Sequence, residues 1–472
     1  MTAGRYDDKF DVMVIGAGAA GLTAAGGCAL YGLRTALIER DRMGGECLNT
    51  GCVPSKALLA AAGATQAVRD AGRFGIRVAP PSVDFAAVRA HVRRAIDTIA
   101  SHDSAETMAG YGVEVIAGSA RFLSPHCVAV SDRVLAAPRI VLATGSRPAV
   151  PPIPGLREVG FLTNETLWDL KTLPDHLAIL GAGAVGVEMA QAFRRLGSAV
   201  TLIDAGLPLA RADRDAAAVV LAALDREGVT IRSHTVITRI DPGPVLHCGD
   251  GDPVVASHIL VATGREAVTD LGLDQAGLSA GPDGFVVDAR CRTAVRHIYA
   301  IGDCRAGSRL THVAGHEGAV AVQNIALGLP AKAEHRHLPQ AIYTDPELAQ
   351  LGPTEAEARS GSGRVEVDVA RFAEDDRSVA EGTPAGFVKL VRVNGRTAGV
   401  TVVGTGAGEL LLPWAQVLAG RASRFALSGA IVAYPTRSER SKEAAFASLR
   451  PKLFSPALKR WARLLARARR IP

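Results

Sequence analysis

One local pattern occurs twice in this chain and restricts its fold more than any other feature. "DVMVIGAGAAGLTAAGGCALYGLRTALIER" (residues 11–40) reads as a strand from Asp11, a tight glycine turn, a helix through Tyr31 and a second strand ending at Glu39. "HLAILGAGAVGVEMAQAFRRLGSAVTLIDAG" (176–206) repeats that order, with Asp204 closing the second strand. Each acid follows the first glycine of its turn, Gly16 or Gly181, by 23 residues. Such a βαβ unit binds a dinucleotide. Gly16 and Gly181 permit the turn, Gly18 and Gly183 admit a pyrophosphate to backbone N–H groups, and Gly21 and Gly186 let helix and strand pack closely. Glu39 or Asp204 then accepts from a ribose hydroxyl. Glycine turns that merely connected strands to helices would not need the acid in both copies. A carboxylate at Asp204 favours a free ribose 2′-OH, so NADH is expected at the second unit, while Arg211 and Arg214 nearby leave NADPH open.

At 472 residues the chain has room for about three domains. Seven cysteines are too few, and odd in number, for an oxidised extracellular scaffold, so a reducing compartment is expected and any disulfide is expected to be catalytic. The N-terminal "RYDDKFD" is charged and leads into a short apolar strand without an h-region, and the localisation expected is cytoplasmic. The formal charge of +6 is concentrated in the tail: Arg450 to Pro472 hold eight Lys/Arg and no Asp/Glu, which leaves 45 basic against 47 acidic groups before it. A nearly neutral body gives no case for nucleic-acid binding.

Two strand-like runs, "VLATGSRP" (141–148) and "LVATGREAV" (260–268), each end in Thr-Gly and an arginine, with Thr144 and Gly145 in one and Gly264 and Arg265 in the other. They read as paired crossings between domains. "HIYAIGDC" (297–304) is a further apolar strand that brings Gly302 and Asp303 to its carboxyl end, where ligands gather in parallel α/β sheets; a helix-capping role for Asp303 is the simpler alternative.

Between the two units lies "GGECLNTGCVPSK" (44–56), with Cys47 and Cys52 among glycines. The following "PSKALLAAAGATQAV" is helical in pattern, so Cys52 falls near a helix start and Lys56 in its first turn, and both features lower a thiol pKa. A metal site would want further ligands at short spacing, and none follow. Two unrelated buried cysteines are the plain alternative.

The chain resembles the class I pyridine nucleotide-disulfide oxidoreductases, among them lipoamide dehydrogenase, glutathione reductase and mercuric reductase. The motifs that carry the resemblance are "GAGAAG", "GGECLNTGCVPSK", "ATGSRP", "GAGAVGVE", "ATGR", "IYAIGDC" and "YTDPELAQLG", over roughly Asp11 to Glu443. The resemblance implies a homodimer with FAD on the first unit, NAD(P)H on the second, and a redox-active Cys47/Cys52 disulfide. It implies that Cys52 faces the flavin, Cys47 meets the substrate, Asp303 holds the ribityl chain, and Lys56 and Glu188 pair near the flavin N5. Val185 stands where glutathione reductase has a gating tyrosine. The implied architecture is α/β, with FAD binding over 1–150 and 285–334, NAD(P) binding over 151–284 and a C-terminal α+β dimerisation domain over 335–449. A basic tail follows over 450–472.

The last domain departs from the pattern. Members that reduce a thiol substrate carry a histidine before Pro-Thr, with a glutamate five residues after the histidine; here the stretch is "AYPTRSE", with Tyr434 in the histidine's place and Glu439 in its own. A phenol of pKa about 10 is a far poorer base at neutral pH than an imidazole of about 6.5. That loss bears on lipoamide turnover and less on a soft metal ion, from which no substrate-thiol proton need be taken. Mercuric reductase also has a tyrosine near this point, but its C-terminal cysteine pair has no counterpart after Cys304. A filler in a decayed thiol site is the other reading of Tyr434. Finally, Leu458, Trp461, Leu464, Leu465 and Ala468 recur at near-helical spacing among arginines, the pattern of a helix lying on an anionic membrane, or else of a solvated cap on the dimer. The acceptors consistent with all this are a small molecule, a metal ion or a quinone. A membrane-docked flavin carrier or redox sensor is the alternative of a different class.

Overall fold

The computed structural model describes residues 8–249 and 251–468. Two compact units form: the residues up to Ala205 with Val229–Glu334, and Gly206–Gly228 with the residues from His335 onward.

The first unit holds two parallel sheets of the kind predicted. In one, Val12–Ile15 lies between Thr35–Glu39 and Ile140–Leu142, with Val113–Ala117 and Ile298–Ala300 outermost. All four residues of Val12–Ile15 are buried because both sheet faces are covered, as parallel sheets require. Alternate side chains feed opposite cores. Met13 and Ile15 pack with Phe122, Val128 and Leu135 of an antiparallel meander. Val12 and Val14 pack with the helices Ala19–Leu30 and Thr311–Ala326. The first of these helices is so rich in alanine and glycine that its partner nearly touches its backbone; a Cβ on Gly27 would stand 2.6 Å from Val322.

The second sheet orders Thr230–Arg232, Ala199–Ile203, His176–Leu180 and His258–Val261 in parallel. An antiparallel ribbon accompanies the two sheets: Ser146–Pro148 pairs with Arg265–Ala267, Arg265 opposite Pro148. The two Thr-Gly runs therefore meet, as the crossing reading expected.

In the other unit, five antiparallel strands run in the order Gln340–Ile342, Glu347–Leu351, Arg396–Gly404, Phe387–Val393 and Val365–Arg371. Leu390, Val400 and Val402 from the central strands pack against Trp414, Ala444 and Ala445 from the helices Leu412–Leu418 and Ser438–Ala447. The helix Arg214–Arg226 belongs to this unit although its sequence neighbours belong to the other. Its N-cap Asp213 is buried and holds Lys389 Nζ at 2.8 and 2.9 Å, with Asp215 at 2.6 Å and Glu355 at 3.4 Å completing the shell. Burial alone would depress the lysine pKa, but Asp213 and Asp215 outweigh it and raise it. Most of the predicted tail is the helix Pro456–Ala468; residues 469–472 of it lie outside the described residues, as do residues 1–7 of the first predicted domain.

Candidate active site

The two glycine turns are near copies in three dimensions. Gly16 adopts φ +105°, and a Cβ there would lie 2.3 Å from the carbonyl oxygen of Ala143; Gly181 adopts +99°, with Ala262 at 2.5 Å. Gly21 and Gly186 each press on the carbonyl of their own turn, at 1.8 and 1.9 Å for a built Cβ. Gly18 and Gly183 cap the helices Ala19–Leu30 and Ala184–Leu196 with no side chain on the first N–H groups. Those N–H groups suit an anion, so both turns fit a dinucleotide pyrophosphate. Glu39 accepts from Ala17 N at 2.6 Å and from Asp41 N at 2.8 Å, and Asp204 accepts from Ala182 N at 2.7 Å. Each acid is thereby fixed beside its turn.

The segment carrying the cysteines is folded against the first of these turns: a Cβ on Gly45 would stand 2.6 Å from the Gly18 Cα, and φ is +83° at Gly44 and +59° at Gly45. Cys47 sits in the short helix Gly45–Asn49, and Cys52 is the first residue of the 19-residue helix Cys52–Asp70. Both are free thiols, and they hydrogen bond to one another. Thr311, first residue of another helix, puts its hydroxyl 3.4 Å from the Cys52 sulfur, so two helix N-termini converge there. The Cys47 hydrogen bond, Thr311 and Lys56 together overcome burial and bring the Cys52 thiol down to about 6. Cys47 moves the other way, held protonated by its bond to Cys52 and by burial. Lys56 is the fifth helical residue, just past the first turn where its sequence position had put it. Its Nζ donates to Glu188 Oε2 at 2.9 Å, and Glu188 is only 6% exposed. Val185, near the start of the same helix as Glu188, is exposed.

Asp303 lies in the turn Gly302–Cys304 just after the strand Ile298–Ala300 and accepts from Ser146 Oγ at 2.9 Å. Arg265 locks Ser146 in turn, donating to its hydroxyl and its carbonyl at 2.8 Å each. Thr144 Oγ1 donates to the Val268 carbonyl at 2.6 Å, which closes the ribbon beside Gly145 and Gly264. Besides Thr311, sequence reasoning missed two carboxylates in this unit. Glu46, adjacent to Cys47, pairs with Arg265 and accepts from Asn164 at 2.9 Å; burial raises its carboxyl to about 7 against the pull of Arg265, helped by Asp303 and Cys52. Glu317 accepts from Gly302 N at 2.7 Å and pairs with Arg305, both fully or nearly fully buried, and so holds the turn that presents Asp303. A glutamate inside the small-residue helix "THVAGHEGAVAVQNIA" was the available signal.

In the C-terminal unit, Tyr434 is 71% exposed and its hydroxyl donates to Asp376 Oδ2 at 2.6 Å. That bond raises the phenol pKa above its ordinary value, with Glu439 adding to the effect. Glu439, which keeps the position of the family's glutamate, is a neighbour of Tyr434 by charge, and Asp376 is the hydrogen-bond acceptor.

A family model described as pyridine nucleotide-disulphide oxidoreductase matches residues 10–318, and that family's dimerisation domain matches residues 338–445. Among curated relatives, mercuric reductase of Shigella flexneri is 34% identical over 92% of this chain and 80% of its own length. Dihydrolipoyl dehydrogenase of Thermus scotoductus is 36% identical over 92% and 96%. Among solved structures, a copper(II) complex of the HOCl-induced flavoprotein disulfide reductase RclA from Escherichia coli superposes with a TM-score of 0.83 at 27% identity, over 93% of this chain and 99% of that one.

Proposed function

This chain belongs to the pyridine nucleotide-disulphide oxidoreductase family, and from that premise we propose that it carries electrons from NADH through FAD to a Cys47/Cys52 disulfide and on to a thiophilic metal ion. Bound at the first glycine turn, FAD would supply two-electron chemistry between the nicotinamide and the disulfide. Reduction breaks the S–S bond and leaves Cys52 as thiolate and Cys47 as thiol, the protonation pattern favoured by the opposite shifts of the two sulfurs. Asp303, fixed by Ser146, would hold a ribityl hydroxyl, and the Lys56 and Glu188 pair would set the charge beside the flavin. A homodimer follows from the matched dimerisation domain.

The observation that carries the choice of acceptor is the hydrogen bond from Tyr434 to Asp376. A phenol held as a donor, with its pKa raised, does not take a proton from a thiol substrate at neutral pH. A soft cation bound by both sulfurs displaces only the protein's own thiol proton. The names of two relatives, mercuric reductase and a copper(II) complex of a disulfide reductase, support the same class. A preference for NADH over NADPH is supported by Asp204, a carboxylate held beside the second glycine turn by Ala182 N, where it would accept from a free ribose 2′-OH and repel a 2′-phosphate.

Anaerobic titration of the flavin-loaded protein with NADH tests the relay. A long-wavelength thiolate-to-flavin band at two electrons, discharged by Hg²⁺ or Cu²⁺ and not by lipoamide or a quinone, is the expected result. Reduction of the flavin without that band would overturn the relay, and discharge by lipoamide alone would overturn the acceptor. Identity of 36% to a dihydrolipoyl dehydrogenase supports a second reading, dihydrolipoamide oxidation without the histidine, which NAD⁺ reduction by dihydrolipoamide decides.

A further inference from the structure

The helix Pro456–Ala468 has a surface that the electron relay does not use. At 100° per residue, Leu458, Trp461, Leu464 and Leu465 fall within an arc of about 120°, and Lys459, Arg460, Arg463 and Arg467 within an opposing arc of about 100°. Leu458, Trp461 and Leu464 are 46, 59 and 58% exposed, so much of the apolar stripe faces solvent. Phe454, at the foot of the helix, is 54% exposed. That foot is fastened to the body: the Phe454 and Phe446 rings meet edge to face at 6.3 Å, and Arg450 bonds Glu443 at 3.0 Å. No helix among the described residues is long and apolar enough to cross a membrane, so this one would have to lie along the surface.

Three kinds of occupant differ in how much of this helix they would satisfy. Nucleic acid would use the arginines and leave the Trp and Leu stripe in water. A second copy of the chain would meet the stripe but would also have to neutralise four cations, and the tail it would bring carries no acid from Arg450 to Pro472. An anionic lipid surface complements both arcs at once, taking the apolar stripe into the headgroup and acyl boundary while the phosphates meet Lys and Arg. The tryptophan is the side chain most at home in that interface.

We propose that the helix Pro456–Ala468 docks this protein on anionic lipid bilayers, lying in the plane of the interface. This is independent of which acceptor the cysteines serve. The test is co-sedimentation of the flavin-loaded full-length protein with vesicles of phosphatidylglycerol and phosphatidylcholine, compared with phosphatidylcholine alone. Binding at least about tenfold stronger to the anionic vesicles is expected, falling severalfold between low and high salt. The double variant Trp461→Ala, Leu464→Ala should lose about tenfold or more in binding, with NADH oxidation in solution unchanged. Equal sedimentation of wild type and double variant would overturn the proposal. So would a change of oligomeric state in the double variant without vesicles, which would assign the stripe to a second copy, or binding to duplex DNA tighter than to the anionic vesicles and equal in wild type and double variant, which would assign the arginines to nucleic acid.

Discussion

Cys52 and Tyr434 begin from neighbouring acidities, 9.0 for the thiol and 10.0 for the phenol, and the fold moves them in opposite directions. Around Cys52 it gathers a thiol donor, a threonine hydroxyl, a lysine and two helix N-termini, all of which favour the anion. Beside Tyr434 it sets Asp376 as acceptor and Glu439 as a second negative charge, which favour the neutral form. An ionisable residue type says little until its neighbours are counted.

The comparison breaks most completely at Cys52→Ala, which should abolish the thiolate-to-flavin band and metal-dependent NADH oxidation while leaving the flavin reducible by NADH in a spectral titration. Tyr434→His sharpens it from the other side. An imidazole at that position should raise dihydrolipoamide-dependent NAD⁺ reduction by about 10²–10⁴, leaving metal turnover unaltered; an unchanged dithiol rate would show that position 434 does not serve the thiols.

Lys56→Met removes a cation that favours the Cys52 anion, so the pH inflection of the thiolate band should move up from about 6. It also removes one partner of Glu188, 6% exposed, and because the lysine itself is 36% exposed the cost in urea unfolding should be about 1–2 kcal/mol. In the wild-type reduced protein Cys52 loses its proton at about 6 when folded and near 9.0 when unfolded. Between those values the unfolded chain binds more protons, so stability should rise with pH across that window and decline through it on acidification. Cys47, shifted upward, acts in the opposite sense above it. Cys52→Ser should flatten the rise. The smallest effect is expected from Asp376→Asn: the phenolate absorbance of Tyr434 should develop at lower pH than in the wild type.

Much of the fold was legible because its signals are local. Gly16, Gly21 and Glu39 act within one βαβ unit, so spacing alone located the turn, and Gly181, Gly186 and Asp204 repeated it. Val12–Ile15 and residues 177–180 are apolar runs with no polar face, which marks them as strands of parallel sheets covered on both sides. The site was legible only where the chemistry stayed local or a family motif carried it. Lys56 meets Glu188 across 132 residues, and the resemblance, not the spacing, paired them. Thr311 is 259 residues from Cys52, and a threonine opening a helix is too common to single out. Asp376 was hidden for a related reason: it lies 58 residues before Tyr434, and no local pattern ties the two together. Glu46 was in plain view beside Cys47, yet its meaning depends on Arg265, which only the chain crossing brings to it.

Asp213 and Lys389 are separated by 176 residues. On a ribosome adding roughly 5–20 residues per second, the aspartate is added on the order of 9–35 s before its lysine. For that interval the helix Arg214–Arg226 has no unit to join, while the strands on either side of it can already pair. The C-terminal unit is therefore unfinished until nearly the whole chain has been made, and a fragment beginning at His335 would bury Lys389 without the carboxylate at its centre.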